Sequence, residues 1–385
     1  MSTRKFVAAA AGLTLALSLA ACGGSGAGDN PDTTTAATAE AGGLIGVSMP
    51  TQTSERWIAD GEAVKAGLEG LGYTVDLQYG NDDIPTQTQQ IDQMITNGAK
   101  ALIVAAIDGT ALTSQLEAAA AAGIKVIAYD RLIRESANVD FYVTFDNYDV
   151  GVLQATSLLV GLGLLKEDGS VGDATGPFNI ELFAGSLDDN NAHFFWQGAI
   201  DTLQPYFDDG TLVVPSGQMD IEQTNILRWL QETAQRRMED LLTASYSDGT
   251  PLAGVLAPYD GLSRGIITAL QNSPSIPGDT IETGLPVVTG QDAEIASVKL
   301  IVDGVQSASI FKDTRKLADQ AVTVTKAFLE GNTPEANDTE TYDNGVEVVP
   351  SFLLPIDIVY ADTVQSLLVD SGYFTAEEVA SGVAG

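Results

Sequence analysis

The segment KVIAYDRLI, residues 125–133, sets an apolar run, Val126-Ile127-Ala128-Tyr129, directly before an acid and a base, Asp130 and Arg131. Its length and unbroken apolarity suit a strand buried on both faces. Upstream, an Ala-rich stretch over 110–122 reads as a helix stopped by Gly123. Before it stands a second apolar run, ALIVAAI (101–107). Earlier still, TVDLQY (74–79) precedes a helix through Ile91, Met94 and Ile95. LIGVSM (44–49) precedes a helix whose face carries Trp57, Gly61, Val64, Leu68 and Leu71. Downstream, FYVTFD (141–146) completes the set. This βαβα order implies an α/β fold, with helices on both faces of a parallel sheet.

The cycle restarts after Asp146-Asn147. A helix over 148–163 is followed by a strand FNIELFAG (178–185), a helix over 191–204 and a strand LVVPSG (212–217). A long helix is expected over 222–244. GVLAPYD (254–260) and PVVTGQD (286–292) each precede a further helix, and SASIFK (307–312) is a further strand. Residues 316–331 read as an amphipathic helix and VEVVPSFLLP (346–355) as extended chain. The chain thus holds two α/β units of similar plan. Four apolar runs end on Asp130, Asp146, Asp260 and Asp292. Ligands of open α/β sheets bind beyond the carboxyl ends of the strands, so these acids are candidates for one shared cleft. The competing role for each is a helix N-cap. That role suits Asp146, which directly precedes a helix, better than Asp130, which does not.

With 385 residues, 44% of them hydrophobic, the chain is long enough for two domains and a sizeable core. A net charge of −34 argues against nucleic acid and anionic membrane surfaces as partners, because both need Lys and Arg. The N-terminus reads as a targeting segment: Arg4 and Lys5, then an apolar run from Phe6 to Ala20 that is short for a membrane span, then LAAC ending at Cys22. Cys22 is the only cysteine and excludes an internal disulfide. Residues 23–43, rich in Gly, Thr, Ala and Ser, read as a flexible tether, so the folded part starts near Leu44.

Enzyme motifs are scarce. His193 is the only histidine, which excludes a His-cluster metal site, and it reads as a helix-surface or packing residue. No G-x-S-x-G, Walker-type loop or strand-linked G-x-G-x-x-G occurs. GNDDIP (80–85) lacks the spacing of a calcium loop and reads as a solvated turn. Carboxylate pairs remain open to a glycosidase, whose spacing a sequence does not give. What the chain does offer suits a polyol. A carboxylate accepts from two neighbouring hydroxyls, an Arg fork donates to two oxygens, and an aromatic ring lies against the apolar face of a sugar. The candidates are Arg56, Trp57, Asp130, Arg131, the DDNN run with Asp189 and Asn191, Trp229, Asp260, Asp292 and Lys312.

MPTQTSERW, AYDRLI, GSLDDNNA, VTGQDAE, IFKDTR and VVPSFLLP, in that order, resemble the bacterial extracytoplasmic receptors for xylose and for multiple monosaccharides. Those are substrate-binding proteins of ABC importers, in the ribose/galactose class. LAAC similarly resembles a lipoprotein signal, which implies lipidation of Cys22 after removal of residues 1–21 and a membrane anchor on the outer face of the cell. The resemblance covers nearly all of the chain from Leu44 onward. It implies the type I periplasmic-binding-protein fold: two Rossmann-like lobes with parallel sheets, joined by crossovers near Asp146-Asn147, Asp313–Lys316 and Pro350–Leu354. The first lobe would be 44–146 plus 316–352 and the second 147–315 plus 353–385.

The roles implied are those of a monomeric, non-enzymatic receptor without cofactor or metal. It would pass an aldose such as xylose, glucose or galactose to an ABC permease, or alternatively present it to a sensor protein. Arg56 would meet ring or anomeric oxygens. Asp130 and Arg131 would grip adjacent hydroxyls from the first lobe, and Asp189 and Asn191 would reach from the second. Asp292 would be a principal hydroxyl acceptor and Lys312 a basic contact at the hinge. Trp57 either stacks on the ligand or anchors its helix; Trp229 is either a second stacking ring or a core residue. Asp260 either lines the site or is structural. Tyr259 stands where xylose-type relatives carry Asn, and PYD matches the multiple-sugar group.

Overall fold

The computed structural model describes residues 42–385, so the expectations for Cys22 and for most of 23–43 lie outside the described residues. Continuous apolar strands alternate with helices, as the periodicity requires. The first set is β1 (Leu44–Met49), α1 (Glu55–Gly70), β2 (Thr74–Tyr79), α2 (Ile84–Thr96), β3 (Ala101–Val104), α3 (Thr113–Ala121), β4 (Lys125–Tyr129) and β5 (Phe141–Phe145). The second is α4 (Asn147–Gly161), β6 (Phe178–Leu182), α5 (Asn190–Asp208), β7 (Leu212–Val213), α6 (Ile221–Thr224), α7 (Gln231–Ser245), β8 (Gly254–Leu256), α8 (Asp260–Gln271), β9 (Val287–Val288) and α9 (Ile295–Val302). β10 (Ser309–Phe311), α10 (Thr314–Leu329), β11 (Ser351–Leu354), β12 (Asp357–Val359) and α11 (Ala376–Ser381) follow.

Two parallel sheets result, ordered β11-β5-β4-β3-β1-β2 and β7-β6-β8-β9. The opening segment shows why its strand is apolar throughout. Ile127 and Tyr129 join a core with Val64 and Leu68 of α1 and with Leu317 and Ala321 of α10. Val126 and Ala128 point the other way, into a core with Ile91 and Met94 of α2 and Leu116 of α3. In the second lobe, Leu256 faces Leu158 and Leu203 of α4 and α5, whereas Val255 faces Met238 and Ile266 of α7 and α8.

The chain passes between the sheets three times. The first passage follows β5, where Asp146 caps α4 by accepting from Asp149 N at 3.1 Å. The second lies between β10 and α10, where Asp313 caps the helix by accepting from Arg315 N at 3.1 Å. The third lies between β11 and β12. β11 pairs residue by residue with Tyr142–Phe145 through Leu354, so the first sheet continues beyond the boundary expected at 352 and stops at Pro355. β12 pairs antiparallel with β10 in the second lobe. Among the described residues no helix is long and apolar enough to cross a membrane.

The largest departure lies over 222–244. The single helix expected there is broken into α6, a short 3-10 turn at Leu227–Trp229, and α7. Arg228 and Trp229 both take left-handed backbone, with φ of 57° and 56°. The break is tied to the neighbouring loop: Ile226 N donates to Ala184 O at 3.1 Å and Arg228 N to Ser186 Oγ at 2.8 Å.

Candidate functional site

A cleft between the carboxyl ends of the two sheets encloses about 520 Å³ of empty space, its opening included. Nine of the ten expected residues line it: Arg56, Trp57, Asp130, Arg131, Asp189, Asn191, Trp229, Asp292 and Lys312. Arg56 and Trp57 stand in the first turn of α1, Asp130 and Arg131 directly after β4, and Asp189 and Asn191 at the start of α5. Asp292 follows β9 and Lys312 follows β10.

Arg56 is the electrostatic centre. Its Nη2 donates to Asp130 at 2.7 Å, its Nε to Asp60 at 3.0 Å, and its Nη1 to Asp292, in the other lobe, at 3.4 Å. Burial opposes the charge on Arg56, but the three carboxylates outweigh it and hold the guanidinium pKa well above the usual value. Burial likewise works against ionised Asp130, and Arg56 and Lys312 overcome it, so its pKa lies below the ordinary range. Asp189 is pushed up by burial, which its partner Arg131 offsets only in part. Arg131 Nε lies 3.1 Å from Asp189 Oδ2 across the cleft, close enough for an ion pair but not aligned as a hydrogen bond. Lys312 Nζ sits 2.9 Å from Asp292 Oδ1 and 5.5 Å from the centre of the Phe195 ring. The pairing compensates charged groups that burial has desolvated and orients them around the cavity.

Backbone strain is concentrated here. Of eight non-glycine residues with positive φ among the described residues, five line the cavity: Asp82, Asp130, Arg228, Trp229 and Asp292. Such conformations persist where the surroundings over-determine them. At Asp130 the carbonyl lies within 2.6 Å of Tyr142 Oη, 2.8 Å of Asn191 Nδ2 and 2.9 Å of Thr144 Oγ1. Asp292 is tied down by its N–H, which donates to Ile310 O at 2.8 Å.

Trp57 and Trp229 each line the cavity and also pack against the protein. Trp57 lines the cavity, is part of the first-lobe core, and carries the Arg56 and Arg131 guanidinium groups at 4.4 and 5.1 Å from its ring centre. Trp229 lines the cavity from the broken segment, held edge-on by Phe195 and Tyr259 at 6.3 and 6.1 Å. A Cβ on Gly185 would lie 2.0 Å from its ring, so only glycine allows that seat.

Asp260 is the expected residue that does not line the cavity. Its carboxylate is fully buried behind the site, accepting from Glu294 N at 2.8 Å, Gln306 Nε2 at 2.8 Å and Ser309 Oγ at 2.9 Å. It braces the segment that carries Asp292. Tyr259 instead lines the cavity, with its hydroxyl donating to Glu294 at 2.9 Å. Sequence reading also missed Thr51, Thr53, Ser54, Asp82, Phe195, Arg228 and Gln291. Thr51 to Ser54 stood beside the ERW motif and were within reach of a reading that continued upstream. Arg228 was hidden by the helical pattern, and Asp82 was taken for part of a solvated turn. No group of acids, His or Cys suited to a metal occurs among the described residues.

The model of the periplasmic binding protein domain matches residues 45–333. The chain belongs to that family. It is 53% identical, over 340 residues, to the multiple sugar-binding periplasmic receptor of Rhizobium radiobacter, covering 88% of this chain and 92% of the relative. It is 33% identical to the D-xylose-binding periplasmic protein of Escherichia coli over 336 residues, covering 87% of this chain and 92% of that one. Among solved structures, an ABC transporter solute-binding protein of Clostridium phytofermentans with bound β-D-glucose superposes with a TM-score of 0.81 at 45% identity, covering 87% of this chain and 99% of that one. None of these three is described as an enzyme. The two-lobed architecture is therefore the family's type I fold.

Proposed function

We propose that this family member is an extracytoplasmic receptor that captures a monosaccharide, an aldose such as xylose, glucose or galactose, between its lobes and delivers it to an ABC permease. One observation carries the reading: carboxylates, guanidinium groups and an ammonium from both lobes converge with two indole rings on one cavity. That is the donor, acceptor and stacking set a pyranose uses. The glucose-bound and sugar-binding relatives support the class of ligand. Arg56, Asp130, Arg131, Asp189, Asn191, Asp292 and Lys312 are assigned to hydroxyl and ring oxygens, and Trp57 and Trp229 to the faces of the ring. Contacts from both lobes at once make closure the state that the sugar favours. The lobes are assigned as 44–146 with α10 and β11, and 147–313 with the tail from β12. For the N-terminus, the LAAC stretch supports lipidation at Cys22 and anchoring to the outer face of the membrane.

The test is a calorimetric and thermal-shift panel of pentoses, hexoses and uronic acids on the full chain. An aldose at a hundred times its dissociation constant stabilises the fold by about 2.7 kcal/mol. The expected outcome is a saturable rise in melting temperature with at least one neutral aldose and recovery of that sugar unchanged. No response to any monosaccharide defeats the reading, and a chemically altered sugar would make the chain an enzyme.

A further inference from the structure

The charges lining the cavity do not pair evenly. Each of the four cations has a carboxylate at ion-pair distance: Arg56 has Asp130, Arg131 has Asp189, Lys312 has Asp292, and Arg228 has Asp188 of its own lobe. Of the four acids that line the cavity, Asp82 alone has no cation at ion-pair distance among the described residues, and the side-chain donor beside it is the Thr51 hydroxyl. Burial raises its pKa, and the neighbouring Thr51 hydroxyl with the more distant Arg131 and Arg228 offsets only part of that. Thr51 Oγ1 is itself engaged with Thr53 Oγ1 at 3.0 Å.

Nothing in the local chain requires a carboxylate at this position. The turn from β2 into α2 is capped by the next residue, Asp83, whose Oδ1 accepts from Thr86 N at 2.9 Å. Asp82 contributes its backbone: its N–H donates to Pro50 O at 2.9 Å, and the consecutive left-handed residues Asn81 and Asp82, φ 53° and 59°, swing the chain towards the cleft. Asn or Gly would fill that conformation with less strain and no charge. A half-buried carboxylate without a cation partner, beside one hydroxyl already shared with Thr53, in a cavity whose other acids each have a cation at ion-pair distance, has acceptor capacity left for the ligand.

We propose that Asp82 is a further ligand-binding residue, a first-lobe acceptor at the Thr51–Thr53 end of the cavity that takes a hydrogen bond from one hydroxyl of the bound sugar. The assignment rests on the reading of the cleft as a monosaccharide site. It adds a specificity element to that reading: a sugar lacking the hydroxyl at this end leaves Asp82 desolvated and unpaired, and binds more weakly.

The experiment is calorimetric titration of the full chain and of Asp82→Asn with D-glucose, its monodeoxy derivatives and D-xylose, which lacks the hydroxymethyl group. Asn keeps the size and the left-handed turn. Asp82→Asn is expected to bind D-glucose about tenfold more weakly with an unchanged melting temperature. One of the analogues lacking a single hydroxyl or hydroxymethyl is expected to lose almost nothing further in the variant, because its missing group is the partner of Asp82. Equal affinity of variant and parent for D-glucose, or an equal loss across all analogues, overturns the assignment while leaving the sugar reading intact. Absence of binding by the parent to every sugar tested removes both.

Discussion

Asp60 sits fully buried one helical turn beyond Arg56, receiving the Arg56 Nε–H at 3.0 Å and the Tyr129 hydroxyl. Burial pushes its pKa up to about 6, with Arg56 and Tyr129 opposing the rise. The folded protein therefore holds a proton that the unfolded chain, titrating near 4, has already released. Stability must fall as pH rises from about 4 to about 6, by roughly 3 kcal/mol at most from this group, and stay level above that window. Asp60→Asn removes the titration. Urea unfolding of both proteins between pH 4 and 7 should show the parent losing stability relative to the variant across pH 4–6; a difference independent of pH would sink the assignment. At this scale the sequence was informative where function repeats a motif. Arg56, Asp130 and Asp292 end strands or open a helix and were legible from those positions. Asp60 was not: its i,i+4 spacing to Arg56 reads as an ordinary helix-surface pair, and Tyr129, which completes its buried setting, is 69 residues away. Asp82 was visible but its surroundings were not, and a charged turn reads as solvated until the opposite lobe is in place.

The elements were legible wherever an apolar run ended in a turn signal, and most strands begin within a residue or two of their expected starts. The failure over 222–244 has a physical cause. Residues 231–245 carry a helical pattern that extends back through Leu227, but the loop at 184–186 offers backbone and hydroxyl partners that stop it. Tertiary bonds overrode local propensity and turned Trp229 into the cavity. A second element-scale feature was unreadable: α4 and α5 cross with their backbones almost touching. A Cβ on Gly198 would lie 2.1 Å from Tyr148 O, and one on Gly151 2.1 Å from Phe195 O. This contact sets the height at which α5 presents Asn191 and Phe195 to the cleft. Gly198→Ala should separate the helices and lower stability by about 1–3 kcal/mol, as overpacking does. Ligand affinity should fall with it, measured by calorimetry at a temperature where the variant remains folded. Full affinity in a destabilised variant would show that helix spacing does not set the position of these side chains.

Across the whole molecule, polar bonds link the two lobes in the arrangement observed. Ser54 Oγ donates to Glu294 at 2.6 Å, Asn191 Nδ2 to Asp130 O at 2.8 Å, Gly109 N to Asp188 O at 3.1 Å, and Arg228 Nη1 to Ile107 O at 3.1 Å. Each pairs a first-lobe group with a second-lobe group, so lobe opening breaks all of them together. Arg228 is the most telling of the four. Its neighbour Trp229 faces the cavity, while its own guanidinium is fixed by Asp188 and crosses to the first lobe. Adjacent residues of one strained segment thus touch ligand space and the opposite lobe, which couples filling of the cavity to the closed state. On the proposed receptor mechanism the ligand is met by an open form and released by opening, so a bond between the lobes acts on the off-rate. A charge-assisted hydrogen bond of this kind contributes about 1.5–3 kcal/mol. Arg228→Gln, followed by stopped-flow tryptophan fluorescence with a bound aldose, should release it about tenfold faster or more, with the association rate within about threefold of the parent. A slower association at unchanged release would place Arg228 in the encounter step and remove it from the closure.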